Sequence, residues 1–211
     1  MIAIIDYGMG NLNSVRKALI NACEQARLNE RVVVTRSHGI VRNARAVVLP
    51  GVGAFKDAMN NLEKEKMISV ILEVIQKKVP FLGICLGYQL MFDKSYEHGQ
   101  YKGLGIIKGG VKKFKLPKKY KIPHMGWNSV SAKNCPLLKN IPYNSYFYFV
   151  HSYYAEVKDR NTNIIKTKYY KQFASGIWKD NIFGLQFHPE KSQMFGLRIL
   201  KNFCLEVLKC K

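Results

Sequence analysis

The first half of the chain alternates short apolar runs with stretches of helical periodicity, and this alternation restricts the fold more than any other feature. Residues 2–6, 32–34, 46–49 and 81–84 are predominantly apolar segments of strand length. Between the first two, Val15, Ala18, Leu19 and Ala22 recur at i, i+3, i+4 and i+7, with Asn13 placed to cap the helix they predict. Ile68, Ile71, Leu72 and Ile75 mark another helix, which Pro80 ends, and helical residues resume at 88–92. Strands separated by helices in this way predict βαβ units and a parallel sheet. The second half differs. Residues 104–114, 146–157, 164–170 and 182–187 are rich in Tyr, Phe and β-branched residues and are joined by Gly, Asn and Pro turns, so they read as strands. A closing helix over about 193–208 carries Leu197, Leu200, Phe203, Cys204 and Val207 on one face. No repeat or Pro/Gly/Ser-rich linker divides the chain, which predicts one α/β domain over residues 1–211.

Composition narrows the class. With 211 residues, 47% of them hydrophobic, the chain can enclose a full core. No apolar run approaches the roughly 18 residues needed to span a bilayer. The opening residues lack the basic segment of a signal peptide and read as a first strand. Cys23, Cys85, Cys135, Cys204 and Cys210 form an odd set without a CxxC pair or His-rich tract. They are expected to be reduced thiols in a cytoplasmic protein, in neither a disulfide framework nor a metal site. The net charge of +20 favours anionic partners. Its densest run, residues 112–121, offers a phosphate or nucleic-acid patch. Lysines are spread along the whole chain, however, and isolated lysines supply charge without base readout, so a solvated Lys-rich loop is the plainer reading.

Cys85 carries the strongest chemical signal. It follows the apolar run 81–84 and is framed by Gly83 and Gly87, so it can occupy the tip of a tight strand-to-helix turn. There the helix N-terminus and a neighbouring imidazole would stabilise a thiolate, and the first helical N–H groups, beginning with that of Leu86, would face a tetrahedral oxyanion. A buried structural thiol in a glycine-flanked turn is the competing reading. His188 ends the apolar run 183–187, and Glu190 lies two residues on, where a carboxylate can fix the tautomer of a base. His38, His98, His124 and His151 lack such a carboxylate and read as structural. At Pro50-Gly51-Val52-Gly53-Ala54-Phe55, glycines flank Val52, whose peptide could reorient to give a second oxyanion donor. An ordinary strand-to-helix turn is the alternative.

Taken together, the segments Asp6-Tyr7-Gly8-Met9-Gly10-Asn11-Leu12, Pro50 to Phe55, Gly83 to Leu90, Pro123-His124-Met125-Gly126-Trp127-Asn128, Phe149-Val150-His151-Ser152-Tyr153-Tyr154 and Gln186 to Ser192 resemble the class I, or triad, glutamine amidotransferases almost end to end. The second, fourth and fifth point to the imidazole glycerol phosphate branch of that family. The resemblance implies a single domain with a mixed, mostly parallel central sheet flanked by helices. It implies Cys85, His188 and Glu190 as catalytic residues, and Val52 and Leu86 as oxyanion-hole donors. Gln89, Glu97, Ser152 and Tyr153 would hold glutamine, and Asn11 and Lys191 would face a partner. The activity implied is glutamine hydrolysis, with no cofactor or metal. Ammonia would pass to a (β/α)-barrel cyclase/synthase subunit of histidine biosynthesis within a heterodimer. An ammonia-supplying subunit for surface-sugar synthesis is the alternative, and a catalytically silent basic binding module is the alternative of another class. A cysteine peptidase would lack the P-G-V-G and H-P-E-K-S blocks.

Overall fold

The computed structural model describes residues 1–209, with side-chain surroundings given through residue 206; Cys210 and the side chain of Val207 lie outside. In chain order the elements are β1 (Ile2–Ile5), α1 (Leu12–Gln25), β2 (Val32–Thr35), α2 (His38–Arg42), β3 (Ala46–Gly51), α3 (Phe55–Lys64), α4 (Met67–Gln76), β4 (Phe81–Cys85) and α5 (Leu86–Leu90). The β-rich part follows as β5 (Phe92–Ser95), β6 (Tyr101–Lys102), β7 (Ile107–Lys113), β8 (His124–Ser129), β9 (Tyr146–His151), β10 (Tyr153–Val157), β11 (Asn163–Tyr169), β12 (Lys171–Lys179) and β13 (Ile182–Leu185). Helix α6 (Gln193–Lys209) closes the described chain.

Among the described residues, 11 strands form one sheet in the order β2-β1-β3-β4-β13-β12-β10-β7-β5-β6, with β11 paired to β12. The block from β2 to β13 is parallel, and β12 turns antiparallel against β13. The sheet is therefore mixed, with its parallel block built by the βαβ alternation of the first half. Its central strands are covered on both faces. Successive side chains of a strand point to opposite faces, so Ile2 and Ile4 pack with Val15, Leu19 and Phe203 from α1 and α6, while Ala3 and Ile5 pack with Leu62, Val70 and Ile71 from α3 and α4. This two-sided burial is why β1 is apolar at every position. No helix is long and apolar enough to cross a membrane among the described residues.

Several local expectations need correction. Helix α1 is capped by Asn11, whose side chain accepts from Ser14 N–H at 3.4 Å, and Asn13 lies inside the helix. Helix α4 buries Met67, Val70, Ile71 and Val74. Ile68 and Ile75 are only partly buried against that layer, because an almost wholly apolar helix supports more than one face with the same spacing. Phe92 belongs to β5, since α5 stops at Leu90. Residues 146–157 are two strands in two sheets: β9 pairs with β8, whereas β10 joins the main sheet, and the chain changes sheet at Ser152. Strands β8 and β12, the helices α2 and α3, and the short β5 and β6 have no counterpart in the sequence reading.

One close approach positions the turn at Cys85. A side chain at Gly87 would place its Cβ 1.8 Å from the Leu49 carbonyl oxygen, and one at Gly83 would meet Gly87 O at 2.8 Å and Tyr88 N at 2.9 Å. The start of α5 thus lies directly on the ends of β3 and β4, and only glycine fits. Gly87→Ala is expected to lower unfolding stability by about 3 kcal/mol or prevent folding, as judged by chemical denaturation. A wild-type midpoint for that variant would refute the packing described.

Candidate active site

The strands β3, β4 and β13 are parallel neighbours, with Gly51 registered to Cys85 and Leu185 to Ile84. Their carboxyl ends deliver three segments to one place: residues 50–55, the turn at Cys85, and residues 186–190. Ligand sites of parallel sheets form at such ends. A cleft of about 540 Å³ opens there, lined by Val52, Gly53, Cys85, Leu86, Gln89, Glu97, His98, Lys113, Ser152, Tyr153 and His188, among others. That volume lies in the range of small-molecule sites.

Cys85 is the residue between β4 and α5, with φ 54° and ψ −107°. A left-handed φ in a residue with a side chain is strained, and the surrounding packing holds it there. Cys85 is buried but lines the cleft. His188 Nδ1 and Glu190 Oε1 are 2.7 Å apart, and both side chains are almost completely enclosed. The Nδ1–H donates to the carboxylate, which leaves Nε2 as the ring nitrogen turned away from it. Nε2 is buried without a hydrogen-bond partner. The backbone beside the ring is fixed: His188 N–H donates to Tyr148 O at 2.9 Å, and Ser192 Oγ donates to His188 O at 2.6 Å.

Burial by itself pulls the His188 imidazole down, but Cys85 and Glu190 more than reverse it, leaving the ring at about 10. The nearby histidines behave in the opposite way. Burial lowers His124 to about 4. His151 falls to about 3 through burial, with the charges of His124 and His188 adding to the effect. Both are therefore neutral where His188 is charged.

The residues expected at the amino-acid end of a substrate also reach the cleft. Gln89 Nε2 donates to Tyr153 O at 3.1 Å and to Gln186 Oε1 at 2.9 Å, so Oε1 is the group it has left to offer. Glu97 Oε2 accepts from Phe55 N–H at 2.8 Å, which caps α3 where Ala54 has no side chain to do so. Val52 is 43% exposed on the turn after β3, and Leu86 is the buried first residue of α5. Asn11 and Lys191 are both exposed. Lys191 Nζ lies 5.8 Å from the centre of the Tyr148 ring, which meets Trp127 edge to face. Lys113 and His151 line the cleft although the sequence reading gave neither a role there. Tyr7 was also passed over; its hydroxyl donates to Pro50 O at 2.9 Å, and burial pushes the phenol well above its usual range. Its signal was a lone aromatic directly after the first strand.

Among the described residues, no group of three or more His, Cys, Asp or Glu side chains is arranged to hold a metal ion. Cys23, Cys85, Cys135 and Cys204 are unbridged.

The family described as Glutamine amidotransferase class-I matches residues 3–207. The chain is 50% identical over 201 residues to the imidazole glycerol phosphate synthase subunit HisH of Aquifex aeolicus, covering 95% of this chain and 94% of that protein. It is 49% identical over 211 residues to the subunit of the same name from Caldanaerobacter subterraneus, with full coverage of both chains. Two solved structures share the fold. One titled glutamine amidotransferase has TM-score 0.74 at 12% identity, covering 99% of this chain and 100% of that one. The glutaminase domain of Trypanosoma brucei CTPS with bound acivicin has TM-score 0.70 at 16% identity, covering 99% and 93%.

A raised histidine pKa contributes stability that is complete below about 6.5 and is lost as pH rises through about 10. Nitrogen NMR of the side chain is expected to show His188 still protonated at pH 8, with Glu190→Gln moving its midpoint downward. A midpoint near 6.5 in the wild-type protein would contradict the arrangement described.

Proposed function

The chain belongs to the class I glutamine amidotransferase family, and from that premise we propose that residues 1–211 form the glutaminase subunit of an imidazole glycerol phosphate synthase in the cytoplasm. The observation that carries the proposal is the 2.7 Å His188–Glu190 contact beside a strained Cys85 in a cleft large enough for an amino acid.

In this mechanism the Cys85 thiolate attacks the side-chain amide carbon of glutamine, and a C–S bond forms. The oxygen takes up negative charge facing the N–H groups of Leu86 and Val52. The His188 imidazolium gives its Nε2 proton to the amide nitrogen, the C–N bond breaks, and ammonia leaves a glutamyl thioester. Neutral His188 then takes a proton from water as it attacks, the C–S bond breaks, and glutamate departs. Glu190 holds the Nδ1–H throughout, which keeps Nε2 facing the reaction and offsets the imidazolium charge. Gln89 Oε1, the Glu97 carboxylate and the backbone at Ser152 and Tyr153 suit the α-ammonium and carboxylate of the substrate.

Ammonia released to water would be protonated and lose its nucleophilicity, so the product passes within a heterodimer to a (β/α)-barrel cyclase/synthase subunit, which forms imidazole glycerol phosphate and aminoimidazole carboxamide ribotide. The partner would dock on Asn11 and Lys191; Lys191 lies over the Tyr148 ring, which meets Trp127, a side chain 46% exposed. The names of the curated relatives support this pathway, and the surface-sugar alternative has no comparable support. A silent binding module would have no need of the Cys85, His188 and Glu190 set.

Cys85→Ala, assayed with its synthase partner, is expected to lose glutamine-dependent product formation while ammonia-dependent synthesis continues. Glutamine turnover at the wild-type rate in that variant would show that the nucleophile lies elsewhere.

A further inference from the structure

We propose that Gln186 donates a hydrogen bond to the nucleophilic sulfur, and that its donor is aimed by a polar network whose sense is dictated from the far side of the cleft wall. The proposal rests on Cys85 being the nucleophile. Gln186 is completely buried, and its Nε2 lies 3.9 Å from Cys85 Sγ, a long but admissible distance for sulfur. The sequence signal is a single amide in the apolar run 183–187, immediately before His188. A buried amide without partners would be costly, so its pairing carries information.

The two ends of an amide are told apart by what they face. Tyr153 O can only accept, so the Gln89 group facing it at 3.1 Å is the NH2. The second proton of that NH2 meets Gln186 at 2.9 Å and requires an acceptor there, so Gln186 presents Oε1 to Gln89. Its own NH2 is thereby turned toward Cys85.

The anchor at Tyr153 is independently fixed. Asn128 Oδ1 accepts from Ser129 N–H at 2.8 Å, and Asn128 Nδ2 donates to Lys168 O at 3.1 Å and to His124 Nε2 at 3.2 Å. His124 must then carry its proton on Nδ1 and donate to His151 Nε2 at 2.9 Å. His151 in turn donates from Nδ1 to Tyr153 O at 2.8 Å. Each step admits one orientation, and two neutral imidazoles fit it. The β8–β9 pair thus holds the Tyr153 carbonyl, the carbonyl orients Gln89, and Gln89 orients Gln186. A donor at the sulfur favours negative charge on it where the thiol is largely enclosed by the cleft wall.

The test compares Gln186→Met, which removes the donor at similar length, with Gln186→Glu, which keeps an acceptor for Gln89 but sets a second oxygen against the sulfur. Alkylation of Cys85 by iodoacetamide at neutral pH, followed by peptide mapping, reads the sulfur without glutamine. Turnover is measured in the complex with the synthase partner, and thermal midpoints report folding. The methionine variant is expected to slow Cys85 alkylation about threefold: losing one hydrogen bond to an ionised group removes about tenfold of thiolate, and the less acidic thiol is about threefold more nucleophilic once ionised. Its kcat should fall by a similar factor with little change in KM, and the glutamate variant should fall further in both readouts. A residue that acts only in packing would shift the thermal midpoint and leave alkylation of the folded protein unchanged. Should the methionine variant not fold, the glutamate variant carries the comparison. Wild-type alkylation and kcat in a folded variant would overturn the proposal while Cys85→Ala stayed inactive. Turnover by Cys85→Ala would instead overturn the reading of the nucleophile.

Discussion

The close contact between the first turn of α5 and the end of β3 is the constraint on which the site depends. With Gly87 pressed against the Leu49 carbonyl, the chain leaving β4 has no room for a gradual bend, and Cys85 takes up the left-handed conformation that reverses it. The same contact brings residues 50–53 alongside the thiol. On the other side, β13 runs parallel to β4 and carries His188 to the cleft three residues beyond its end. Chain segments far apart in sequence therefore meet because three strand ends are neighbours in one sheet.

Burial opposes charge on three histidines of this protein, and their partners decide whether it prevails. His188, His124 and His151 are all enclosed, and desolvation opposes charge on each of them. His188 faces a carboxylate and a thiol, so its charged form prevails. His124 and His151 face each other, an amide and a carbonyl, so theirs does not. The site thus separates one imidazole that carries a proton from two that transmit orientation, and strand β8 lies on the orienting side.

The sequence reading reached the βαβ half because its strands are buried on both faces and are therefore uninterrupted apolar runs. Cys85 at a strand end followed from the glycines around it. The α4 face escaped because Ile68, Leu72 and Ile75 share the i, i+4, i+7 spacing of the buried Met67, Ile71 and Val74, and only the sheet decides between them. Asn11 and Asn13 are equally good caps by type, and the turn at Gly8 and Gly10 selects the first. The break at Ser152 carries no Gly, Pro, Asn or Asp, because the chain passes from β9 to β10 through a single residue. Strand β8 was missed because its His, Gly and Asn residues interrupt the usual apolar alternation, and two of them, His124 and Asn128, serve the buried network instead. Gln186 passed as part of the apolar run 183–187, because its role depends on Gln89 and Tyr153, which sequence distance hides.

The central claim is that Cys85 Sγ forms the bond to the glutamine side chain within this cleft. Acid quenching of the protein and its synthase partner during turnover, followed by peptide mass mapping, tests it most directly. The account predicts a glutamyl thioester confined to the peptide containing Cys85. A glutamyl adduct on any other residue, with Cys85 unmodified throughout turnover, would contradict it.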